Sequence, residues 1–225
     1  MKYLIHIALV VLLIIQGCTT NKNKKIKKPA INNSIEKLEI SNLPNEIGTS
    51  KTNKNENVYI TKTDNSYNIR DKDGKTIVYY SKGYETGSAF SGYDYSENPI
   101  IGIYKEFYTN NNIKIKGIYC WFGFKIGKWY SYSENGDLVS TEDFDNGFIY
   151  TNDQVFSYCQ ENEISLEKKE SGYTTTISKY KSIPDNKNYW VIRYPNYEKQ
   201  AYINIQIDGL NGSVVKTVES PFPAD

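Results

Sequence analysis

The chain has 225 residues, a formal net charge of +1 and a composition that is 39% hydrophobic. A near-neutral chain has no general electrostatic attraction for polyanions, so we expect no nucleic-acid partner. The single histidine, His6, lies in the N-terminal apolar segment. The rest of the chain therefore lacks the commonest general base and the commonest zinc ligand.

The first predicted element is a secretion signal. Lys2 precedes a twelve-residue run from Leu4 to Ile15 that is apolar apart from its histidine. This run is shorter than the roughly 17–25 residues that a helix needs to cross a bilayer. A positive start followed by a short apolar run is typical of a secretory signal peptide.

The apolar run ends in the sequence IQGC, in which a small residue stands directly before a cysteine. This stretch resembles a bacterial lipobox. The resemblance implies a signal peptide over residues 1–17, cleavage after Gly17, and attachment of diacylglycerol to Cys18 with acyl chains such as palmitate. Thr19 follows without an acidic cluster, which resembles a lipoprotein directed to the outer membrane. We therefore expect a lipid-anchored envelope protein on the periplasmic face of the outer membrane.

Residues 18–57 are predicted to form a flexible tether. The stretches TTNKNKKIKKPAINNS and GTSKTNKNEN are rich in asparagine and lysine and cannot bury enough apolar surface to become ordered. The sequence IEKLEISNL between them is predicted either to form a transient helix or to dock on the body. The folded body is expected to begin near Val58.

A repeat then dominates residues 58–150. The stretch GIYKEFYTNNNIK, Gly102–Lys114, is followed 25 residues later by GKWYSYSENGDLV, Gly127–Val139. Each copy has alternating aromatic residues before an asparagine-containing turn, which predicts two successive antiparallel β-hairpins. A single hairpin is marginally stable in water, so repetition lets each unit bury its aromatic face on the next.

The turn residues predict the geometry of both hairpins. In the second copy, Asn135 and Gly136 supply the two residues with positive φ that a type I′ turn requires. This turn would place Tyr132 opposite Val139. In the first copy the dipeptide NN takes the same place, because asparagine is the next-best residue for positive φ.

The second copy resembles the variant MORN repeat of the YwqK-type antitoxin proteins. The likeness is carried by the GKW at its start, the NGDL of its turn and the FDNG that ends at Gly147. It extends over roughly Gly102–Gly147. The resemblance implies a sheet of repeated β-hairpins and does not specify a reaction.

Strand alternation assigns the aromatic residues of the repeat to two faces. Trp129 is matched by Tyr104 in the first copy, and these two residues with Leu138 are predicted to form the repeat core. Aromatic side chains are also enriched at binding surfaces, although tyrosine has high strand propensity and sheet packing is the alternative role. The predicted binding surface consists of Phe107, Tyr130 and Tyr132.

Residues 151–225 are predicted to form a small α+β domain. Thr151 with Gln154 three residues later makes a capping-box pattern, which predicts a helix from about Asn152 to Asn162. The strand-like runs YTTTISKY, YWVIRY and AYINIQI follow, and the turn DGLNG leads into a last strand, SVVKTV. This order resembles the PepSY-like class of small periplasmic domains.

Two cysteines remain after Cys18 is acylated, and the sequence leaves their state open. The periplasm permits a disulfide between Cys120 and Cys159, which would join the last repeat to the helix. Alternatively both are free thiols in the core, since Cys120 lies between two aromatic residues and Cys159 lies on the apolar face of the helix.

The sequence offers little catalytic chemistry. Without histidine there is no Ser–His or Cys–His pair, and no phosphate-binding loop or dinucleotide fingerprint is present. The acidic cluster of Glu142, Asp143 and Asp145 lacks the spacing of a calcium loop and is interpreted as carboxylates beside a turn. We therefore expect no metal and no cofactor.

The chain is interpreted as mainly β, with a sheet of repeated antiparallel hairpins followed by a small α+β domain. The expected function is non-enzymatic binding of a protein or cell-wall partner by a lipid-anchored scaffold. One alternative is an immunity or antitoxin-like protein that neutralises a partner toxin. Another is a glycan hydrolase that uses carboxylates alone.

Overall fold

The computed structural model describes residues 26–38, 48–51, 57–62, 66–71, 76–82, 88–167 and 173–223. Gly17 and Cys18, the residues of the predicted lipid attachment, lie outside these ranges. The described strands are β1 (Gly48–Lys51), β2 (Asn57–Lys62), β3 (Ser66–Arg70), β4 (Thr76–Lys82), β5 (Ser88–Asp94), β6 (Ile101–Tyr108), β7 (Ile113–Cys120), β8 (Phe124–Tyr132), β9 (Leu138–Asp143), β10 (Thr176–Lys181), β11 (Asn188–Asn196), β12 (Ala201–Asp208) and β13 (Val214–Pro221). One helix, α1 (Asn152–Glu161), is present in these ranges.

The strands form two antiparallel sheets. The first sheet contains nine strands, β1 to β9, in the order in which they occur in the chain. The second sheet contains β10 to β13, again in chain order. Each strand therefore pairs with the next by an antiparallel connection, and the predicted mainly β fold of repeated hairpins with a small α+β domain is confirmed.

The two repeat hairpins share one turn geometry, and it is not the predicted one. The N–H of Ser133 donates to the carbonyl of Asp137, and the N–H of Gly136 donates to the carbonyl of Ser133. Three residues therefore form the loop, and only the third has positive φ, +95° at Gly136 and +66° at the matching Asn111. The prediction of a type I′ turn is wrong, because that turn needs positive φ at Asn135 as well.

The longer loop changes the pairing beside it. Tyr132 pairs with Leu138 rather than with Val139, and the register shifts just before Tyr132. In the first hairpin Phe107 pairs with Ile113 after an equivalent shift. A loop of three residues with a left-handed third residue forms a β-bulge, in which one extra residue is inserted opposite the partner strand. The repeat is therefore conserved in geometry between its two copies, including the bulge.

Alternation gives the first sheet two faces with different surroundings. The inner face is defined by Ile101, Ile118, Cys120, Phe124 and Ile126, which are buried in one cluster with residues of α1 and the second sheet. Towards the hairpin turns, this face continues into a second cluster, which contains Leu38, Tyr67, Val78, Tyr80, Phe107, Ile113 and Tyr132. The residues that alternate with these along each strand point to the other side of the sheet, termed the outer face.

The C-terminal domain has the predicted helix, with its capping box, and four strands after it. The Thr151 side chain accepts a hydrogen bond from the backbone N–H of Gln154, and the Gln154 side chain accepts one from the backbone N–H of Thr151. Val155 and Cys159 are fully buried one turn apart on α1. The predicted helix and the four strands after it are confirmed. No helix in the described part of the chain is long and apolar enough to cross a membrane.

Residues 26–38, termed the strap, lie across the inner face of the first sheet. Leu38 is buried in the cluster near the turns. The N–H of Leu38 donates to the carbonyl of Asn111, and the N–H of Ile113 donates to the carbonyl of Glu36, both at 2.9 Å. The strap is thus joined by backbone hydrogen bonds to the first repeat hairpin.

The prediction of a flexible tether over residues 18–57 is wrong for the strap and for β1. The first sheet begins at Gly48 rather than near Val58. The prediction gave most weight to the asparagines and lysines of this region, whereas Pro29 and Leu38 of the strap are both buried. The sequence IEKL, residues 35–38, docks on the body, which was the second of the two predicted alternatives.

Glu36 of the strap provides the counter-charge for two lysines on the inner face. Lys116 has no exposed side-chain surface, and its Nζ lies 2.6 Å from Glu36 Oε1 and 2.6 Å from the carbonyl oxygen of Ser34. Lys105 pairs with the other carboxylate oxygen. Burial raises the pKa of Glu36, but the hydrogen bonds and charges of the two lysines outweigh burial and lower it overall. The strap therefore satisfies an ammonium that would be costly to bury alone.

Polar contacts also join the end of the repeat to the second sheet. Lys179 Nζ lies 2.6 Å from the carbonyl oxygen of Phe144 and 2.7 Å from Asp145 Oδ1. Burial lowers the pKa of Lys179, and the Asp145 carboxylate opposes this shift. Trp190 Nε1 donates to the carbonyl of Tyr150 at 2.8 Å. With the shared hydrophobic cluster, these contacts make the repeat and the C-terminal domain one packed body.

Glu36→Gln should lower the free energy of unfolding by about 1–3 kcal/mol, because Lys116 stays buried and loses its counter-charge. The matched control is Glu219→Gln, which removes an ion pair with Lys199. The side chains of Glu219 and Lys199 are each 53% exposed. Such surface pairs contribute about 0–1 kcal/mol. Urea denaturation at pH 7 measures both variants. An equal loss in the two variants would contradict the role given to the strap.

The same variant gives a pH test. A depressed folded-state pKa contributes stability above the unfolded pKa, and this contribution is lost as the pH falls through the folded pKa. The difference in stability between wild type and Glu36→Gln should therefore shrink once the pH falls below about 4.

Candidate functional site

The outer face of the first sheet carries a row of aromatic side chains on successive strands. Tyr79 on β4 pairs with Tyr93 on β5, and Tyr93 pairs with Tyr104 on β6. Tyr119 on β7 pairs with Gly102, two residues before Tyr104. The ring centroid of Tyr93 lies 5.1 Å from that of Tyr104 and 5.1 Å from that of Tyr119. Strand pairing has therefore produced a continuous aromatic surface.

An open groove with a volume of about 430 Å³ lies in this surface. Its lining comes from β3, β4, β5 and β7 and from the residues just after β5 and β7: Asn68, Arg70, Thr76, Tyr79, Tyr93, Tyr95, Tyr119 and Trp121. Five of these eight side chains are aromatic, and Tyr79 and Trp121 are 41% and 37% exposed. Ligand sites are usually concave and mostly apolar with a few polar groups, so this groove is the candidate site.

The rings of the groove are held by packing. A Cβ at Gly102 would lie 2.6 Å from the ring of Tyr95, so the absence of a side chain there makes room for it. Tyr95 stacks on Tyr93 at 6.0 Å and meets Trp121 edge-on at 6.2 Å. Rings that already support one another lose little freedom when a ligand binds, which favours affinity.

The aromatic row continues beyond the groove to Trp129, which is 5% exposed. Its indole lies against Gly117, where a Cβ would come within 2.1 Å of the ring, and its Nε1 donates to the carbonyl of Ile118 at 3.1 Å. Tyr104 stacks on it at 5.5 Å, and Lys125 Nζ lies 4.4 Å from a ring centroid of the indole. The prediction that Trp129 and Tyr104 pack together between hairpins is confirmed.

The predicted binding surface lies on the covered face. Phe107 and Tyr132 are 2% and 3% exposed, and the partly buried Tyr130 packs against the same cluster, which includes Leu38 of the strap. This part of the prediction is wrong, because the strap was taken for a tether and the inner face was left open. Leu138, predicted as repeat core, is 45% exposed, since β9 is the last strand of its sheet among the described residues.

Sequence reasoning assigned no site role to Tyr93, Tyr95, Tyr119 and Trp121. A signal was present in the tripeptides YDY and YCW, whose aromatic residues are spaced by two and so share a strand face. The sequence does not reveal that β5 and β7 lie on either side of β6. It also does not reveal that the aromatic residues of both tripeptides point to the outer face. That information depends on strand order and on the bulges.

The groove is electrostatically simple. Arg70 is the one acidic or basic residue in its described lining. Burial raises the pKa of the Tyr93 and Tyr95 phenols, so both are neutral near pH 7. Lys125, the cross-strand partner of Tyr119, adds a second positive charge on the same face. No carboxylate belongs to the described lining. The site therefore suits a neutral or anionic ligand better than a cation.

The remaining candidate groups have structural roles. Cys120 and Cys159 are free and buried, and burial raises the pKa of each thiol to about 12. Of the two alternatives left open by the sequence, the structure therefore has two free thiols and no disulfide between Cys120 and Cys159. In the acidic cluster, Asp145 pairs with Lys179, and Asp143 accepts a hydrogen bond from the backbone N–H of Asp145. Within the described ranges, no three His, Cys, Asp or Glu residues are grouped to hold a metal ion.

Trp129→Ala should lower the free energy of unfolding by about 3–5 kcal/mol, the usual loss when a buried aromatic side chain is truncated. The control is the neighbouring Tyr130→Ala, which should cost less because its ring is only partly buried. Urea and thermal denaturation of both variants measure the difference. A larger loss for Tyr130→Ala would mean that the inner cluster, and not the outer row, joins the hairpins.

Comparison of the chain with protein-family models, with curated proteins and with solved structures finds no match. The likeness to the variant MORN repeat is therefore one of residue pattern.

Proposed function

We propose that this chain is a lipid-anchored, non-enzymatic binding module of the cell envelope, whose ligand lies in the outer-face groove. The observation that carries the proposal is the groove, where five aromatic rings line one open site. Its polar groups are phenols, a guanidinium, an amide and a hydroxyl. These groups orient a ligand, but they do not include the carboxylate, thiolate or imidazole that general acid–base catalysis usually uses.

The relation between the strap and the groove supports the proposal. The strap lies on the inner face, where Glu36 pairs with Lys105 and Lys116. The groove lies on the outer face of the same sheet. Docking of the N-terminal segment therefore leaves the groove accessible, so that attachment and binding do not compete for one surface.

The strap also defines what an anchor at Cys18 would do. Ile26 of the strap packs against the hydrophobic cluster of the inner face. The eight chain steps from Cys18 to Ile26 reach at most about 30 Å when fully extended. A lipid at Cys18 would therefore hold the body within about this distance of the bilayer. The strap after Ile26 is docked on the sheet and does not lengthen the linker.

Cys18→Ala should leave the precursor uncleaved and without lipid, because the acyl chains are attached through the thiol of this residue. Cells grown with an acyl-chain probe should label the wild type and the control variant Cys120→Ala, and should not label Cys18→Ala. Labelling of all three to the same extent would refute the anchor and would leave the groove unaffected.

Photo-crosslinking tests the binding role directly. A benzophenone amino acid in place of Tyr79, which is 41% exposed in the groove, should form an adduct in intact envelopes. The control position is Ile183, which is 94% exposed in the turn between β10 and β11. A shift in mobility detects an adduct of any chemistry. Equal adducts at both positions, or none at Tyr79, would contradict a ligand site in the groove.

A further inference from the structure

We propose that the ligand of the groove is a saccharide chain that carries carboxylates, stacked on the aromatic rings and paired with Arg70. This inference rests on the proposed function, since it names the class of ligand for the same groove. Its support comes from the ring faces, from the polar groups beside them, from the pairing of the strands beneath and from the charge.

The exposed ring faces fit sugar rings. A pyranose presents flat patches of C–H groups between its hydroxyls, and the electron-rich face of an aromatic ring attracts weakly positive hydrogens. Tyr79 and Trp121 keep 41% and 37% of their surfaces exposed in the groove. Tyr93 and Tyr119 are partly buried in the same lining, with centroids 5.1 Å apart. The groove volume of about 430 Å³ is in the range of small-molecule sites, which accommodates a short stretch of such a chain.

The polar groups of the lining favour a hydroxyl-bearing ligand over a purely apolar one. Asn68 and Thr76 stand beside the rings and offer both donors and acceptors. The buried amide oxygen of Asn68 has no hydrogen-bond partner among the described residues. An apolar ligand would remove water from these groups without replacing its hydrogen bonds, whereas sugar hydroxyls replace them.

Strand pairing disfavours an extended peptide. Peptides that bind to sheets usually add a strand to an open edge and use backbone hydrogen bonds. The strands from β3 to β7 each have a paired strand on both sides. The groove therefore lies over a sheet interior, where recognition must come from side chains.

Charge selects an acidic saccharide over a neutral one. Arg70 is exposed at the groove, and a guanidinium pairs with a carboxylate through two parallel hydrogen bonds. Lys125, beside Tyr119, contributes positive potential on the same face. A cationic ligand would gain from the rings but would face both positive charges, with no carboxylate in the described lining to offset them.

The test is calorimetric titration of the full lipidated chain in detergent with four probes. Oligogalacturonate and hyaluronate oligomers are the acidic saccharides. Fully methyl-esterified oligogalacturonate keeps the sugar rings and removes the charge. Poly-L-glutamate keeps the carboxylates and has no sugar rings. We expect at least one acidic saccharide to bind. If oligogalacturonate binds, its ester should bind at least about tenfold more weakly. Poly-L-glutamate should not bind.

Two variants separate the contributions of stacking and charge. Trp121→Ala should weaken binding of the acidic saccharide by about tenfold or more, since stacked aromatic residues dominate such sites. Arg70→Gln should reduce the preference for acid over ester to about twofold or less. The control Tyr197→Ala removes a 55% exposed ring from the C-terminal domain and should change neither value. All three variants should remain folded at the titration temperature, which cooperative thermal unfolding of each variant verifies.

The outcomes divide clearly. If neither acidic saccharide binds, if the ester binds as well as the acid, or if poly-L-glutamate binds as well as either, the proposed ligand class is wrong. If the Tyr79 crosslink still forms in envelopes, the groove remains a binding site for another ligand. If that crosslink fails as well, the proposed function falls with the ligand class.

Discussion

The ammonium of Lys116 is buried in the inner face of the first sheet, and the strap brings Ser34 and Glu36 to it. This interaction joins the N-terminal strap to a strand 80 residues away in the chain. It also fixes which side of the sheet is covered. The C-terminal domain closes one end of the inner face and the strap closes the other, so the aromatic residues of the outer face lie on the side that these two segments leave open.

The aromatic row follows from a spacing that runs through the whole repeat. Tyr79, Tyr104 and Trp129 are 25 residues apart in the chain and occupy β4, β6 and β8. Since each hairpin unit contributes two strands, residues at this period fall on the same face of every second strand. The intervening strands contribute Tyr93 and Tyr119 to the same row. The sheet therefore gains stability from ring contacts along its outer face, and three rings of this row, Tyr79, Tyr93 and Tyr119, also line the groove.

Local features of the fold could be predicted, and features that depend on distant contacts could not. The capping box at Thr151 and the alternation of the repeat strands are written in neighbouring residues, and both were read correctly. The turn at Gly136 was recognised as a turn, but its loop length depends on whether Asn135 adopts positive φ, which the dipeptide alone does not decide. The resulting bulge changes cross-strand partners. The assignment of faces also required the strap, which docks through contacts with distant residues such as Asn111 and Lys116.

The two thiols on the inner side have a consequence for chemical labelling. Burial raises the pKa of the Cys120 and Cys159 thiols to about 12, so both stay protonated near neutral pH. Thiol reagents attack the thiolate and need access to it. A cysteine introduced at the rim of the groove would therefore react ahead of both native thiols. Fluorophores or spin labels could then report on the outer face of the body while Cys120 and Cys159 keep their places in the core.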